Sequence, residues 1–359
     1  MAFLSFNNVR IAGIAAGVPK NVVSNLDLKS GDGSISGSYS PEDFVKLTGV
    51  RDRRVSEALC TSDLCYAAAE RLIADLRWER SDIDAVIFVS QTADYALPAT
   101  ACILQDRLGL SRETYAADVA LGCSGWVYGL SYAMSLATTG MMKKVLLLCG
   151  DAKRRAPQPL DPLFGCAGTA TAVEFKAGAK ESVFHFGTDG SGYDAIIIPD
   201  SGSRNQVKPG SFKTEMWDGR SMHRMQTHMK GMDVFSFGIT TAPKTVKKLA
   251  ERFSFNYLSY DYYIFHQANM KMNNMIVKKL KLPSEKVPSC MLHFGNTSSA
   301  SIPLTIVTQL KGKADIKPTK YLCCGFGVGL SWGTVAFEDQ IHISDLVEVD
   351  DPTEPSKWA

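Results

Sequence analysis

Short apolar runs rich in β-branched and aromatic residues alternate along this chain with longer segments of helical period. That alternation restricts the possible folds more than any other feature. Residues 9–15, 85–90, 114–120 and 144–149 read as strands in the first half, and 261–265, 320–324 and 330–338 in the second. Residues 62–76, 99–108, 124–138, 243–253 and 270–280 read as helices. The expectation is an α/β fold whose strands are largely buried and mostly parallel between helical layers. At 359 residues the chain has the length for two domains or one large fused pair. Three stretches fall outside the alternation. Residues 30–40 are glycine- and serine-rich and read as a loop; 200–230 are long and polar and read as a lid or rim. Residues 345–359 carry acids and prolines and read as a surface tail. No internal repeat is visible.

Composition removes several function classes. The formal net charge of +2 is too close to balance to argue for nucleic acid or an anionic membrane. No apolar run approaches the length of a bilayer span. Nine cysteines raise the question of disulfides or metal ligation, yet there is no CxxC pair and Cys323-Cys324 sit together inside an apolar strand. The opening Met-Ala-Phe-Leu-Ser-Phe-Asn-Asn lacks a basic start and an extended apolar core. The expectation is a cytoplasmic protein in which most cysteines are small buried hydrophobes.

Three segments carry chemistry. Ala117-Asp-Val-Ala-Leu-Gly-Cys-Ser-Gly-Trp runs from an apolar strand into a helix-compatible stretch, which places Cys123 at a helix N-terminus. The unpaired N–H groups and the positive end of the dipole there favour a thiolate, and small neighbours let a substrate approach. A thiolate so placed can attack an acyl thioester and hold the acyl group covalently. His266 follows an apolar strand, and Asn296 lies in the turn Gly295-Asn-Thr-Ser-Ser-Ala-Ser-Ile-Pro. Alone, each residue is more often structural. Together, His266 Nε2–H and the Asn296 amino group make a donor pair for a developing enolate oxygen. The glycine-rich Gly325-Phe-Gly-Val-Gly-Leu-Ser-Trp-Gly sits near the C-terminal end and runs into another strand, which argues against a dinucleotide loop. Its expected role is a tight turn whose N–H near Val328 joins that of Cys123 as an oxyanion hole.

These segments, in this order, resemble the 3-oxoacyl-[acyl-carrier-protein] synthase III family of thiolase-fold condensing enzymes. Also matching are Thr48-Gly-Val-Arg-Asp-Arg-Arg, Gly187-Thr-Asp-Gly-Ser-Gly, Met229-Lys-Gly-Met-Asp-Val-Phe and His266-Gln-Ala-Asn. The resemblance implies a five-layered αβαβα fold from two similar halves: 1–180 carrying the nucleophilic cysteine, 181–345 carrying the histidine and asparagine, and 346–359 as the tail. It implies a homodimer, and acyl carrier protein and an acyl-thioester primer as partners, with no metal or redox cofactor. It also implies a ping-pong reaction in which Cys123 is acylated and malonyl-carrier protein then loses carbon dioxide beside His266 and Asn296.

Departures from the family pattern shape the expectations further. Lys46 and Leu47 stand where many members carry a basic residue and an aromatic that contact coenzyme A. Phe164-Gly-Cys-Ala-Gly-Thr replaces a Phe-Gly-Asp-Gly-Ala-Gly motif, which leaves the primer donor open between coenzyme A and carrier protein. Leu97 replaces an aromatic that closes the partner subunit's acyl pocket, implying a primer longer than acetyl. Lys271 takes a basic docking position for the acidic carrier protein, and Lys278 lies on the same segment. Two other functions compete. One is an acyltransferase passing the cysteine-bound acyl group to an oxygen or nitrogen nucleophile, with His266 as general base. The other is a non-catalytic partner subunit.

Overall fold

The computed structural model describes residues 1–28, 40–152, 161–217 and 220–353; of the loop expected at 30–40, all but Ser40 lies outside them. Two sheets form the frame. The seven-stranded sheet runs in the order His342–Ile343, Val9–Pro19, Ala167–Phe175, Lys144–Asp151, Ala85–Val89 and Tyr115–Val119, with Val347–Val349 also paired to Val9–Pro19. The five-stranded sheet runs Ala2–Phe6, Ser182–Thr188, Ser331–Asp339, Thr319–Gly327 and Tyr262–Phe265.

Helices complete the layers. Thr61–Leu76 and Thr100–Arg107 cover the outer face of the seven-stranded sheet, and Gly231–Arg252 and Met270–Leu280 cover that of the five-stranded sheet. Gly125–Ala137 and Ser301–Leu310 lie between the two sheets, which completes the αβαβα arrangement. A helix enclosed on both sides must be apolar almost all round. Gly125–Ala137 obeys this: Trp126, Val127, Leu130, Ala133 and Met134 are all buried in the central core beside Leu147, Phe184 and Tyr321. Gly129 lets this helix press against the sheet, since a Cβ there would come 2.6 Å from Leu147 Cδ1. Each large apolar side chain so enclosed contributes roughly 1.5–3 kcal/mol.

Three expectations are corrected. The strands are not mostly parallel. Ala167–Phe175 runs antiparallel between Val9–Pro19 and Lys144–Asp151, and Ser331–Asp339 runs antiparallel to both of its neighbours. Parallel pairing is kept where Ala85–Val89 meets Tyr115–Val119 and Lys144–Asp151, and where Tyr262–Phe265 meets Thr319–Gly327. Residues 347–349 are not a surface tail, because their backbone extends the edge beside Val9–Pro19 and Glu348 pairs with Arg54 at 2.7 Å. The helix expected at 243–253 is the second half of Gly231–Arg252, which continues through Pro243. Within 200–230 the chain forms short ladders, Thr214–Trp217 with Arg220–His223, and His228–Met229 with Ile196–Ile197.

The chain ends cross between the sheets. Ala2–Phe6 joins the five-stranded sheet, whereas His342–Ile343 and Val347–Val349 join the seven-stranded one. This exchange ties the two sheets together at the side chains of the core as well as at the backbone.

Candidate active site

Cys123 lies between the strand Tyr115–Val119 and the helix Gly125–Ala137, directly before the N-cap residue Ser124. The Ser124 side chain does not cap the helix; its hydroxyl instead meets Ser331 Oγ at 2.8 Å. The positive end of the helix therefore faces Cys123 with no side-chain cap between them. Glycine makes the close approach possible on both sides. A Cβ on Gly125 would lie 2.7 Å from Val89 Cγ1, and one on Gly327 would lie 2.8 Å from Cys123 Sγ. Gly325 packs as tightly, 2.9 Å from the Cys123 carbonyl oxygen by the same measure.

The glycine turn is anchored to the start of this helix. Ser331 Oγ, already paired with Ser124, donates to the Val328 carbonyl at 2.8 Å. Val328 Cγ1 lies 3.0 Å from where a Gly122 Cβ would stand. Val328 is thus brought to the residue preceding Cys123.

Cys123 is partly exposed, unlike Cys65, Cys149, Cys166, Cys290, Cys323 and Cys324, which are buried. Burial pushes the Cys290 thiol up to about 11 and that of Cys324 up to about 12, and raises Cys65, Cys149 and Cys323 as well. A thiol that holds its proton so firmly is a poor nucleophile at neutral pH.

His266 comes at the end of the strand Tyr262–Phe265, where its backbone N–H donates to the Cys324 carbonyl at 2.9 Å. That bond continues the parallel ladder by one residue and sets the ring beside the glycine turn. The ring packs edge-on to Phe326, with centroids 5.7 Å apart, while the next residue, Gly327, faces Cys123 so closely that a Cβ there would crowd the sulfur. His266 Nδ1 lies 2.8 Å from Ser301 Oγ. Below it, Asn273 Nδ2 donates to the His266 carbonyl at 3.1 Å, and Asn269 caps the helix Met270–Leu280 by accepting from Met272 N–H at 2.8 Å.

Asn296 is fixed on three sides. Its N–H donates to the Leu163 carbonyl at 2.9 Å, and its carbonyl accepts from Gly165 N–H at 3.1 Å. Its side-chain Oδ1 accepts from Ser298 N–H at 2.9 Å. With the amide oxygen committed to a local turn, the group the side chain presents elsewhere is Nδ2. The same turn leads into Ser299 and Ser301. Ser299 Cβ is 3.2 Å from where a Gly125 Cβ would stand, so the asparagine turn packs on the start of the cysteine helix. These contacts bring the segments that carry Cys123, His266, Asn296 and Val328 together in one space of the fold, with His266 and Asn296 almost wholly buried.

The remaining candidates lie outside this space. Lys271 is exposed on the first turn of Met270–Leu280, its Nζ 5.9 Å from the centre of the Phe235 ring. Lys278 is exposed in the last turn, about 10 Å further along the helix axis. Leu97 is 86% exposed on the loop after Ala85–Val89. Sequence reasoning passed over Ser301 and Ser331, the hydroxyls that hold His266 and the glycine turn. Both occur within the quoted motifs, but nothing in a serine's identity shows which ring or carbonyl it will meet. Among the described residues no group of three or more His, Cys, Asp or Glu is placed to hold a metal ion, and no helix is long and apolar enough to cross a membrane.

Comparison with known proteins adds an independent line. Residues 117–190 match the family described as 3-oxoacyl-[acyl-carrier-protein (ACP)] synthase III, and residues 254–338 match its C-terminal family. A beta-ketoacyl-[acyl-carrier-protein] synthase III of Clostridioides difficile is 33% identical over 320 residues, covering 83% of this chain and 94% of that protein. The enzyme of the same name from Rhodopirellula baltica is 31% identical, covering 93% and 99%. The crystal structure of a 3-oxoacyl-(acyl-carrier protein) synthase from Burkholderia xenovorans LB400 superposes with a TM-score of 0.87 at 37% identity, covering 97% and 99% of the two chains.

Proposed function

Because this chain belongs to the 3-oxoacyl-[acyl-carrier-protein] synthase III family, we propose that it joins an acyl primer to malonyl-acyl carrier protein by decarboxylating Claisen condensation. In the first half-reaction the Cys123 thiolate attacks the primer's thioester carbonyl. A carbon–sulfur bond forms, the oxyanion rests on the N–H groups of Cys123 and Val328, and collapse expels the donor thiolate, which takes up a proton. In the second, malonyl-carrier protein sets its thioester carbonyl against His266 and Asn296. The bond to the carboxylate breaks, carbon dioxide leaves, and the electron pair becomes an enolate. The enolate carbon attacks the acyl-cysteine carbonyl, and the bond to sulfur breaks to return the thiolate and release a 3-oxoacyl-carrier protein.

The observation that carries this reading is the commitment of Asn296 Oδ1 to the Ser298 N–H, which leaves the amide to act as a donor. An enolate oxygen needs donors. His266 fits the same role: Nδ1 meets the Ser301 hydroxyl at 2.8 Å, and in the tautomer in which Nδ1 accepts that bond the ring proton is on Nε2. A preorganised donor of this kind contributes ~2.7–4 kcal/mol to the barrier it lowers. The test is carbon dioxide release from malonyl-carrier protein by primer-loaded enzyme. Stoichiometric release with a 3-oxoacyl product is expected. Acyl transfer to an oxygen or nitrogen acceptor without any release would overturn the condensation in favour of the acyltransferase.

The partners follow from the same reading. Carrier protein is acidic, and Lys271 at the helix start beside His266 supplies a matching charge, with Lys278 as an outer contact. Leu47, 39% exposed, supports a carrier-protein primer donor over coenzyme A, since it offers no aromatic face. A second copy of the chain is supported by the Tyr115–Val119 strand at the end of its sheet and by Leu97 standing out into solvent. Nine free cysteines support a reducing, cytoplasmic setting.

A further inference from the structure

Gln91 stands two residues beyond the strand Ala85–Val89, at the same sheet end from which Cys123 emerges. Its backbone is held by buried Asp151. One carboxylate oxygen of Asp151 accepts from Ser90 Oγ at 3.0 Å, Gln91 N–H at 2.9 Å and Thr92 Oγ1 at 3.0 Å. From this fixed turn the side chain reaches over Gly122. A Cβ on that glycine would overlap Gln91 Oε1 and would lie 2.8 Å from Cδ and 3.0 Å from Val328 Cγ1. The carboxamide, on an exposed residue, therefore lies beside the residue before Cys123 and near Val328, which follows the Gly327 whose Cβ position would crowd the sulfur. Among the described residues no protein group hydrogen-bonds this carboxamide.

A carboxamide offers two N–H donors and a carbonyl acceptor. A plain alkyl chain laid against it displaces water and returns no hydrogen bond, which carries a penalty. A chain bearing a hydroxyl or an oxo oxygen replaces the lost partners. The carboxamide is beside Gly122, whose Cα is about 3.8 Å from that of Cys123, which puts it within reach of a short acyl group held on Cys123. We propose that Gln91 reads the primer on Cys123 and selects acyl groups carrying a hydroxyl or oxo oxygen near the thioester over plain alkyl chains. This rests on Cys123 being the acylated residue.

Loading of the intact protein, followed by mass spectrometry, separates the two ideas. Butanoyl, 3-hydroxybutanoyl and 3-oxobutanoyl thioesters of N-acetylcysteamine remove any contribution from the donor's own contacts. The wild-type protein is expected to load at least one oxygenated primer about tenfold faster than butanoyl, the size of effect one hydrogen bond supplies. In Gln91→Leu the ratio is expected to fall close to one; where that variant fails to fold, Gln91→Val carries the same comparison. A wild-type ratio near one, or a ratio that survives both substitutions, overturns the role of Gln91 and leaves the thioester chemistry intact. Loading of none of the three overturns the acyl-cysteine reading, and the inference with it.

Discussion

Cys123 and Cys324 lie on either side of a single packing contact, yet their sulfurs have opposite prospects. Cys324 is inside the strand Thr319–Gly327, fully covered, and accepts a hydrogen bond from Thr334 Oγ1 at 3.3 Å. Burial pushes its thiol up to about 12. The next residue, Gly325, packs against the Cys123 carbonyl, where the chain has left its strand and not yet entered its helix. Cys123 is partly open to solvent at an uncapped helix start. What separates the two is position relative to a strand end: inside the ladder a thiol is a small hydrophobe, and one turn beyond it the same group meets donors, glycines and solvent.

The strongest way to break this comparison is to exchange the two thiols' roles. Cys123→Ser is expected to reduce acyl loading by on the order of 10³-fold or more, since the hydroxyl is a far weaker nucleophile. Cys324→Ala is expected to keep loading and to lower unfolding stability by about 1–2 kcal/mol, as a small cavity in a strand does. Loading rates and urea unfolding of both variants decide it, and a folded Cys324→Ala protein that no longer loads would erase the distinction. Next in size, His266→Ala and Asn296→Ala are each expected to slow carbon dioxide release by ~10²–10³-fold. Acylation of Cys123 should persist in both, which single-turnover loading can verify.

The same comparison shows what a sequence makes legible. The strand end that delivers His266 was readable because it follows the apolar run Tyr262–Phe265, and that of Cys123 because a glycine and a helix-compatible stretch follow Tyr115–Val119. Ala167–Phe175 was not, although it is central to its sheet. Its Ala-Gly-Thr-Ala-Thr-Ala stretch is small because Leu64 and Cys65 of the covering helix press against Gly168, where no side chain fits. Packing across layers chose those residues, and strand propensity alone gives no sign of them. The helix Gly231–Arg252 was half hidden for a related reason. Gly238 accommodates Met272, and Pro243 breaks the local pattern while the burial of Ala242, Val246 and Leu249 continues it. The exchange of terminal strands, the Ser301 contact with His266 and the Ser331 contact with Ser124 depend on partners more than thirty residues away in the chain, which local periodicity does not encode.

Smaller effects sharpen the contrast. With its folded pKa about 12 against an ordinary 9.0, Cys324 keeps its proton longer folded than unfolded. The unfolded chain therefore binds fewer protons between those values, and this contribution to stability is present below pH 9 and lost as pH rises through 12. Buried and holding its proton firmly at pH 8, Cys324 should stay unlabelled by iodoacetamide until the protein unfolds. Labelling of Cys324 in the native protein at the rate of Cys123 would contradict the burial argument. Smallest of all, Lys271→Glu is expected to raise KM for carrier protein several-fold, an effect that shrinks with added salt, with little change for a short thioester that carries no protein. An unchanged KM would remove Lys271 from the docking surface.

The most direct measurement is peptide mapping of the protein after incubation with an acyl thioester in the absence of malonyl-carrier protein. The account predicts one added acyl group per chain, confined to the peptide containing Cys123 and discharged when malonyl-carrier protein is supplied. An acyl group found on exposed Cys102 or on Cys60 instead, or one that Cys123→Ala still acquires, would contradict it.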